Sequence, residues 1–554
     1  MAATVTLRGR PVRCLLVVAF AAAAGTGLLD GVAARQTSPA TDGARMAEMA
    51  RALGGSPAEA ADVARFYSAR TPALAWTLPD GTPSAAAGAV RTRLGEASRH
   101  ALAPSAYLTP QVEAALAAGR TGEARLEGDV ALTLATLRYM RHLHLGRVDP
   151  RSLGLRLAAW DEPHDFAVLL GQALAGGQVA AMLDALAPPF KVYGALVDAL
   201  VRYRLLAAQP LPALPAPAAT VRDGDVYAGV AALASRLVAF GDLDATAMPP
   251  ADTTSYREPL VAAVRRFQLR HGLAADGALG ARTVKALQVP AAARADQIAL
   301  ALERLRWLPD LGARPVLAVN IPMFRLWAFD AGRLDGPPSR SMEVIVGRAM
   351  RSETPVFVAS MDHVIFRPYW NVPTSIVRGE ILPALARNPR YLAAQQMEIV
   401  GGASDDARVV PTDDTAIAGL AAGTLRLRQR PGPHNALGLV KFVFPNQDSI
   451  YLHGTPAAQL FARDRRDFSH GCIRVADPPG LAAWALAGRS AWTPDRIAEA
   501  MAGAAPVRVD LAEPVDVVLF YMTAAVDADA TTLRFAEDIY GHDVALARRL
   551  NGGG

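Results

Sequence analysis

Cysteine is close to absent from this chain, with two in 554 residues, Cys14 and Cys472. If Cys14 belongs to a removable leader, the remaining thiol has no internal disulfide partner and is an oxidation liability unless it is used. Long apolar runs are also scarce. There is one, from Cys14 to about Leu29, and no second membrane-spanning candidate comes after it. Charge of one sign is in short supply: of the formal +5, three arginines against Asp30 place +2 in the first 34 residues, leaving +3 for the rest. No basic patch is interleaved with aromatics, so nucleic acid is not expected as a partner. No internal repeat or long low-complexity run is present, which excludes a repeat architecture.

What is present is 51% hydrophobic and 20% charged, the composition of buried cores rather than disorder. The length fits about three or four domains. Arg8, Arg10 and Arg13, the apolar run, and Val32-Ala33-Ala34 have the three-part form of an export signal, giving a mature chain from about Arg35 in the periplasm or cell envelope. The alternative is an uncleaved membrane anchor, although the run falls short of the ~20 residues a spanning helix needs. Gly9 separates Arg8 from Arg10, so a twin-arginine signal is not supported.

From about Thr41 to Ala208, apolar residues recur three and four apart, as in Val130, Leu134, Leu137 and Met140, which predicts packed helices. His142 and His144 form an H-x-H pair, but residues two apart on a helix face different ways, so they read as ordinary histidines and no metal is assigned. Proline-rich Gln209 to Thr220 marks a boundary. Beyond it, Leu260, Val264 and Phe267 make one apolar helix face, Pro259 suits a first turn, and Asp276-Gly277 suits a tight turn. Gln297 to Pro309 reads as a further helix. From Arg314 the pattern changes to short strands, Val316 to Ile321, Phe324 to Phe329, Met342 to Val346 and Val364 to Arg367. A more helical insertion, about 381–427, interrupts them and reads as a mobile lid. Helices are expected around Leu481 to Leu486 and Pro494 to Ala502, and a strand at Val515 to Met522.

The stretch Ser449 to Val475 states the chemistry. A thiol attacks a carbonyl as thiolate, and an imidazole within reach makes that form available near neutral pH. His470 lies two residues before Cys472, whereas His453 sits on an alternating run that puts Tyr451 and His453 on one face. Leu439 to Phe444 and the turn Pro445-Asn446-Gln447-Asp448 suggest a hairpin carrying that face. Small or polar Ser469, His470 and Gly471 argue against a core position for the thiol.

A histidine, fifteen residues, then S-H-G-C resembles the signature of the peptidoglycan L,D-transpeptidases with a YkuD-like catalytic domain. Val346-Gly347-Arg348, Arg367 to Pro373, Gln429 to Gly438 and Asp538 to Gly541 are also family-like, and Asp129 to Pro150 is similar to the helical scaffold of the large periplasmic branch. Val264 to Gln268, His271-Gly272-Leu273 and Asp276-Gly277 resemble a three-helix peptidoglycan-binding module. The resemblance implies an α-helical scaffold and a small three-helix module, then a β-rich catalytic domain with a helical lid insertion. The expected bounds are 35–220 scaffold, 221–292 module, 293–312 linking helix, 313–510 catalytic domain and 511–554 C-terminal strand and tail.

The same resemblance implies Cys472 as nucleophile, His453 as base and the Gly454 carbonyl as the group that orients the imidazole. Oxyanion or substrate-binding roles are implied for Tyr451, Ser469, His470, Gly471, Arg474, Arg466 and Trp370, with Arg474 standing where many members have asparagine. The expected partners are peptidoglycan stem peptides and the sacculus, with no cofactor. Competing readings are a cell-wall cysteine peptidase with water as acceptor, a non-catalytic wall-binding scaffold, and a zinc D,D-peptidase. The known cysteine endopeptidases carry cysteine before histidine, opposite to the order here. For the zinc reading His470 and Asp477 have a suitable spacing, but no following histidine or E-x-x-H completes the site.

Overall fold

The computed structural model describes residues 5–7, 10–12, 39–70, 74–118, 121–157, 164–402, 404–527 and 530–552. The apolar run of the expected export signal and its cleavage point lie outside the described residues. Among those described, no helix is long and apolar enough to cross a membrane. The chain divides into two compact units, one of residues 1–210, 289–310 and 545–554, the other of 211–288 and 311–544.

The first unit is helical. Pro57–Ser68 begins with a reciprocal cap, in which the Ser56 amide donates to Glu59 at 2.8 Å and the Glu59 amide to Ser56 Oγ at 3.3 Å. Gly122–Leu145 is buried almost all round, which requires neighbours on every side. On it, Asp129, 1% exposed, accepts from the Tyr67 hydroxyl at 2.5 Å and from the amides of Ala75 and Trp76, both at 2.8 Å. His142 lies against the Tyr107 hydroxyl and His144 against the Leu186 carbonyl, at 3.0 and 3.2 Å, on different faces. The helix expected to link module and catalytic domain, Ala291–Leu305, groups instead with this unit. Its buried Ile298, Ala301, Leu302 and Leu305 need a packing surface, and buried Glu303 receives Val148 N–H at 3.0 Å and Arg306 at 2.8 Å.

In the second unit, helices Val230–Phe240, Leu260–Arg270 and Ala281–Gln288 form the small module. Buried Gln268 holds its turn, donating to Asp276, the Ala278 carbonyl and Thr283 while accepting from Gly277 N–H at 2.8 Å. Gly277 has φ +74°, and a Cβ there would meet Val261 at 2.8 Å, so both conformation and space call for glycine.

The β-rich part is a closed barrel. Its strands run in the spatial order Arg340–Gly347, Ile473–Val475, Leu452–His453, Val440–Val443, Phe357–Phe366, Val507–Phe520, Val316–Asn320 and Arg325–Phe329, and the last pairs back onto the first. Asp467–Ser469 adds outside, parallel to Arg340–Gly347. Val440, Phe442, Leu452 and Ile473 fill one side of this sheet and are fully buried.

Two expected bounds change. Val507–Phe520 is one continuous strand between Phe357–Phe366 and Val316–Asn320, so a break at 510/511 would cut the barrel. The insertion is helical as expected but wider. It opens with strand Trp370–Asn371 and holds a four-stranded sheet of that strand, Arg426–Gln429, Met397–Val400 and Val409–Val410, over its own core of Val372, Ile376, Ile399 and Leu427. The strands of two to four residues are too short for alternation to reveal them.

Candidate active site

The hairpin forms as expected but later. Asn446 closes a turn by accepting from Ile450 N–H at 3.0 Å and donating to the Ile450 carbonyl at 2.6 Å, so regular pairing starts only at Leu452. Lys441 then lies opposite His453 in the antiparallel partner, and His453 opposite Arg474 in a parallel one. Because side chains alternate, Lys441, Tyr451, His453, Cys472 and Arg474 share the face away from Phe442, Leu452 and Ile473.

The loop before the thiol is tied down by its neighbours. Ser469 Oγ donates to the Cys472 carbonyl at 2.5 Å and accepts from Gly471 N–H at 3.2 Å. Thr354 Oγ1 donates to the Gly471 carbonyl at 2.8 Å, and Ser352 Oγ to that of Ser469 at 3.1 Å. Gly471 has φ +108°, a conformation that side chains rarely adopt.

His453 is 5% exposed, and its Nδ1 stands 2.6 Å from the Gly454 carbonyl. A carbonyl only accepts, so Nδ1 carries the proton and Nε2 is left with a lone pair. The Tyr451 ring stands 5.6 Å from the His453 ring, and the Cys472 thiol donates to the Ser449 carbonyl at 3.8 Å. Lys441 Nζ lies 4.0 Å from the centre of the Tyr451 ring, a cation–π contact. Arg474 has a buried Nε without a partner and, among the described residues, no carboxylate paired to it.

Two expected site residues are turned elsewhere. His470 Nε2 donates to Glu380 of the insertion at 2.6 Å. Arg466 donates to the carbonyls of Arg463 at 2.7 Å and Phe324 at 3.3 Å and lines a cleft that neither Cys472 nor His453 enters. Lys441 and Glu380 were missed by the sequence reading. Lys441 alone had a usable signal, as a lone charge in the apolar strand that pairs with His453.

Comparison with known proteins bears on this geometry. Residues 314–509 match the family model of the L,D-transpeptidase catalytic domain, residues 61–200 that of the Scaffold domain, and residues 227–287 that described as "Putative peptidoglycan binding domain". The chain carries an L,D-transpeptidase catalytic domain. A protein of Haemophilus influenzae described as "Putative L,D-transpeptidase" is 32% identical over 251 residues, 45% of this chain and 48% of that protein, so the match spans about half of each. Domains that act on and bind peptidoglycan imply a cell-envelope location.

The electrostatics of the candidate site differ from the expected ready thiolate. Burial pushes the Cys472 thiol up, against the opposing pull of Tyr451, Lys441 and Arg474. Burial also pushes His453 down to about 3, helped by the charges of Arg474 and Lys441 and resisted by the Gly454 carbonyl. Both shifts favour the uncharged forms, so the resting pair is a neutral thiol and a neutral imidazole. Such a pair moves its proton during attack rather than before it.

Proposed function

We propose that the chain is a peptidoglycan L,D-transpeptidase that works through a thioester on Cys472. Cys472 Sγ attacks the carbonyl joining the third stem residue to the terminal D-Ala of a tetrapeptide, and its proton passes to His453 Nε2. That proton goes to the leaving amine as the C–N bond breaks, releasing D-Ala and leaving the thioester. An amine from a second stem then attacks the thioester, loses a proton to His453, and the sulfur leaves and regains it. The product is a 3→3 cross-link.

The observation that carries this reading is the shared face of His453, Tyr451, Cys472 and Arg474, with the imidazole fixed so that its free lone pair is Nε2. Gly471 N–H is already engaged by Ser469, so the oxyanion is assigned to Cys472 N–H and the Tyr451 hydroxyl. Arg474, uncompensated on that face, is assigned to a substrate carboxylate. The enzyme is read as exported, with the small module holding it on the sacculus.

The test is mass spectrometry of muropeptides after incubation with tetrapeptide-rich sacculi, together with a carbapenem-type β-lactam as acylating probe. Cys472→Ala should abolish both the covalent adduct and the cross-links. His453→Ala should slow acylation by about a hundredfold or more, whereas His470→Ala should cost much less. Turnover that survives Cys472→Ala but is lost to a chelator overturns the proposal.

A further inference from the structure

Within the second unit, a cleft of about 200 Å³ lies between the small module and the barrel. The module supplies Leu269 to Leu273 and Arg282, the barrel supplies Pro322 to Arg325, Trp327 and Glu343, and residues 464–466 and 534–537 close the sides. None of Lys441, Tyr451, His453, Cys472 and Arg474 lines it. Its two walls are joined by direct contacts: Arg282 to Asp464 at 3.0 Å, Arg534 to the Leu269 carbonyl at 3.2 Å, and the rings of His271 and Phe535 stacked at 5.4 Å.

The cleft is lined by six arginines against three carboxylates. Five of the arginines have a carboxylate partner, but among the described residues Arg466 has none. Its hydrogen bonds go to carbonyls, its Nε is buried without a partner, and its guanidinium lies 5.4 Å from the Phe324 ring. Glu343 and Asp464, the acids whose charge acts on it, are taken by Arg325 at 3.4 Å and Arg282 at 3.0 Å. A guanidinium held among apolar groups and left uncompensated favours an anion with planar oxygens. Beside it, Arg325 and half-buried Trp327 stand on the outer face of their strand, offering an aromatic plane next to a second, weakly paired guanidinium. Phe324, on the same rim, holds φ 53°, unusual for a bulky residue.

Resting on the transpeptidase reading, we infer that this cleft binds a second disaccharide–peptide repeat of peptidoglycan, with a sugar face on Trp327 and a stem carboxylate on Arg466, apart from the stem held at Cys472. The module and the barrel then grip the polymer together, and the reacting stem is presented on a strand held at a second point.

The experiment is a calorimetric titration of the full chain, carrying Cys472→Ala to prevent turnover, with purified disaccharide-tetrapeptide. The expected result is two equivalents bound per chain. Trp327→Ala and Arg325→Gln, at partly exposed positions, and Arg466→Gln should each lose one equivalent or weaken it by about tenfold or more, with unchanged melting temperature for at least the first two. Equal titration by the parent and by folded Trp327→Ala and Arg325→Gln overturns the inference, and so does equal displacement by an unrelated acidic polysaccharide. Failure of the transpeptidase reading shows elsewhere, as an unmodified Cys472 in the β-lactam reaction, whatever the stoichiometry.

Discussion

The neutral resting pair can be tested through the pH dependence of two reactions of the same sulfur. Iodoacetamide reacts with thiolate, and an ordinary thiol near 8.5 is only about 3% thiolate at pH 7 and about 0.3% at pH 6. Burial of Cys472 pushes its value up, so its alkylation rate should climb roughly tenfold per pH unit from 5 to 8. On the proposed mechanism, acylation by a carbapenem uses His453 as base instead. With the imidazole held down to about 3, that reaction should persist to about pH 4 and fall only below it. Folding limits the acid side. His453 binds a proton less readily folded than unfolded, so its contribution to stability is complete above its unfolded value of 6.5 and is lost as pH falls towards 3. At about 1.4 kcal/mol per pH unit, the loss reaches about 4–5 kcal/mol across that window, and thermal melts at each pH must accompany the rates. Both rates should be followed by intact-protein mass spectrometry on the full chain. Alkylation that is flat from pH 5 to 8 would mean a preformed thiolate–imidazolium pair, and would refute the reasoning.

Lys441→Met should raise the thiol further, because the ammonium at the Tyr451 ring favours the thiolate, and should slow carbapenem acylation by about tenfold; an unchanged rate in a folded protein would remove Lys441 from the site. Asp129→Asn places an NH2 against donors that now share one carboxylate, and should cost the helical unit about 2–4 kcal/mol in urea unfolding. A loss below about 0.5 kcal/mol would mean that the Tyr67, Ala75 and Trp76 groups find other partners. Glu380→Gln removes the carboxylate from His470 and should raise KM for a tetrapeptide several-fold while leaving thiol alkylation in place. Steady-state kinetics with the stem peptide decide it, and an unchanged KM would make the contact a surface one.

Much of the fold was legible because helix and strand periods differ. The apolar spacing of Val130, Leu134, Leu137 and Met140 pointed to the helix Gly122–Leu145, and the change of pattern after Arg314 located the first barrel strands. What was not legible was partnership. The apolar positions of Ala291–Leu305 say that it packs, not against which unit. A strand as short as Val409–Val410 exists only because Met397–Val400 lies beside it.

The same division runs through the site. Cys472 and His453 stand out in the sequence because a lone thiol among small polar residues, and a histidine on an alternating strand, each carry chemistry alone. Lys441 and Arg474 acquire their place only from pairing, one opposite His453 in an antiparallel strand and the other in a parallel one. A one-residue slip in either pairing would turn every side chain of the slipped strand to the other side, putting Phe442 or Ile473 where the cations now stand and a charge into the barrel core. The fully buried Phe442, Leu452 and Ile473 oppose that slip by their hydrophobicity. Part of what holds the charges around the thiol is therefore the apolar side of the same strands, which no search for reactive residues would select.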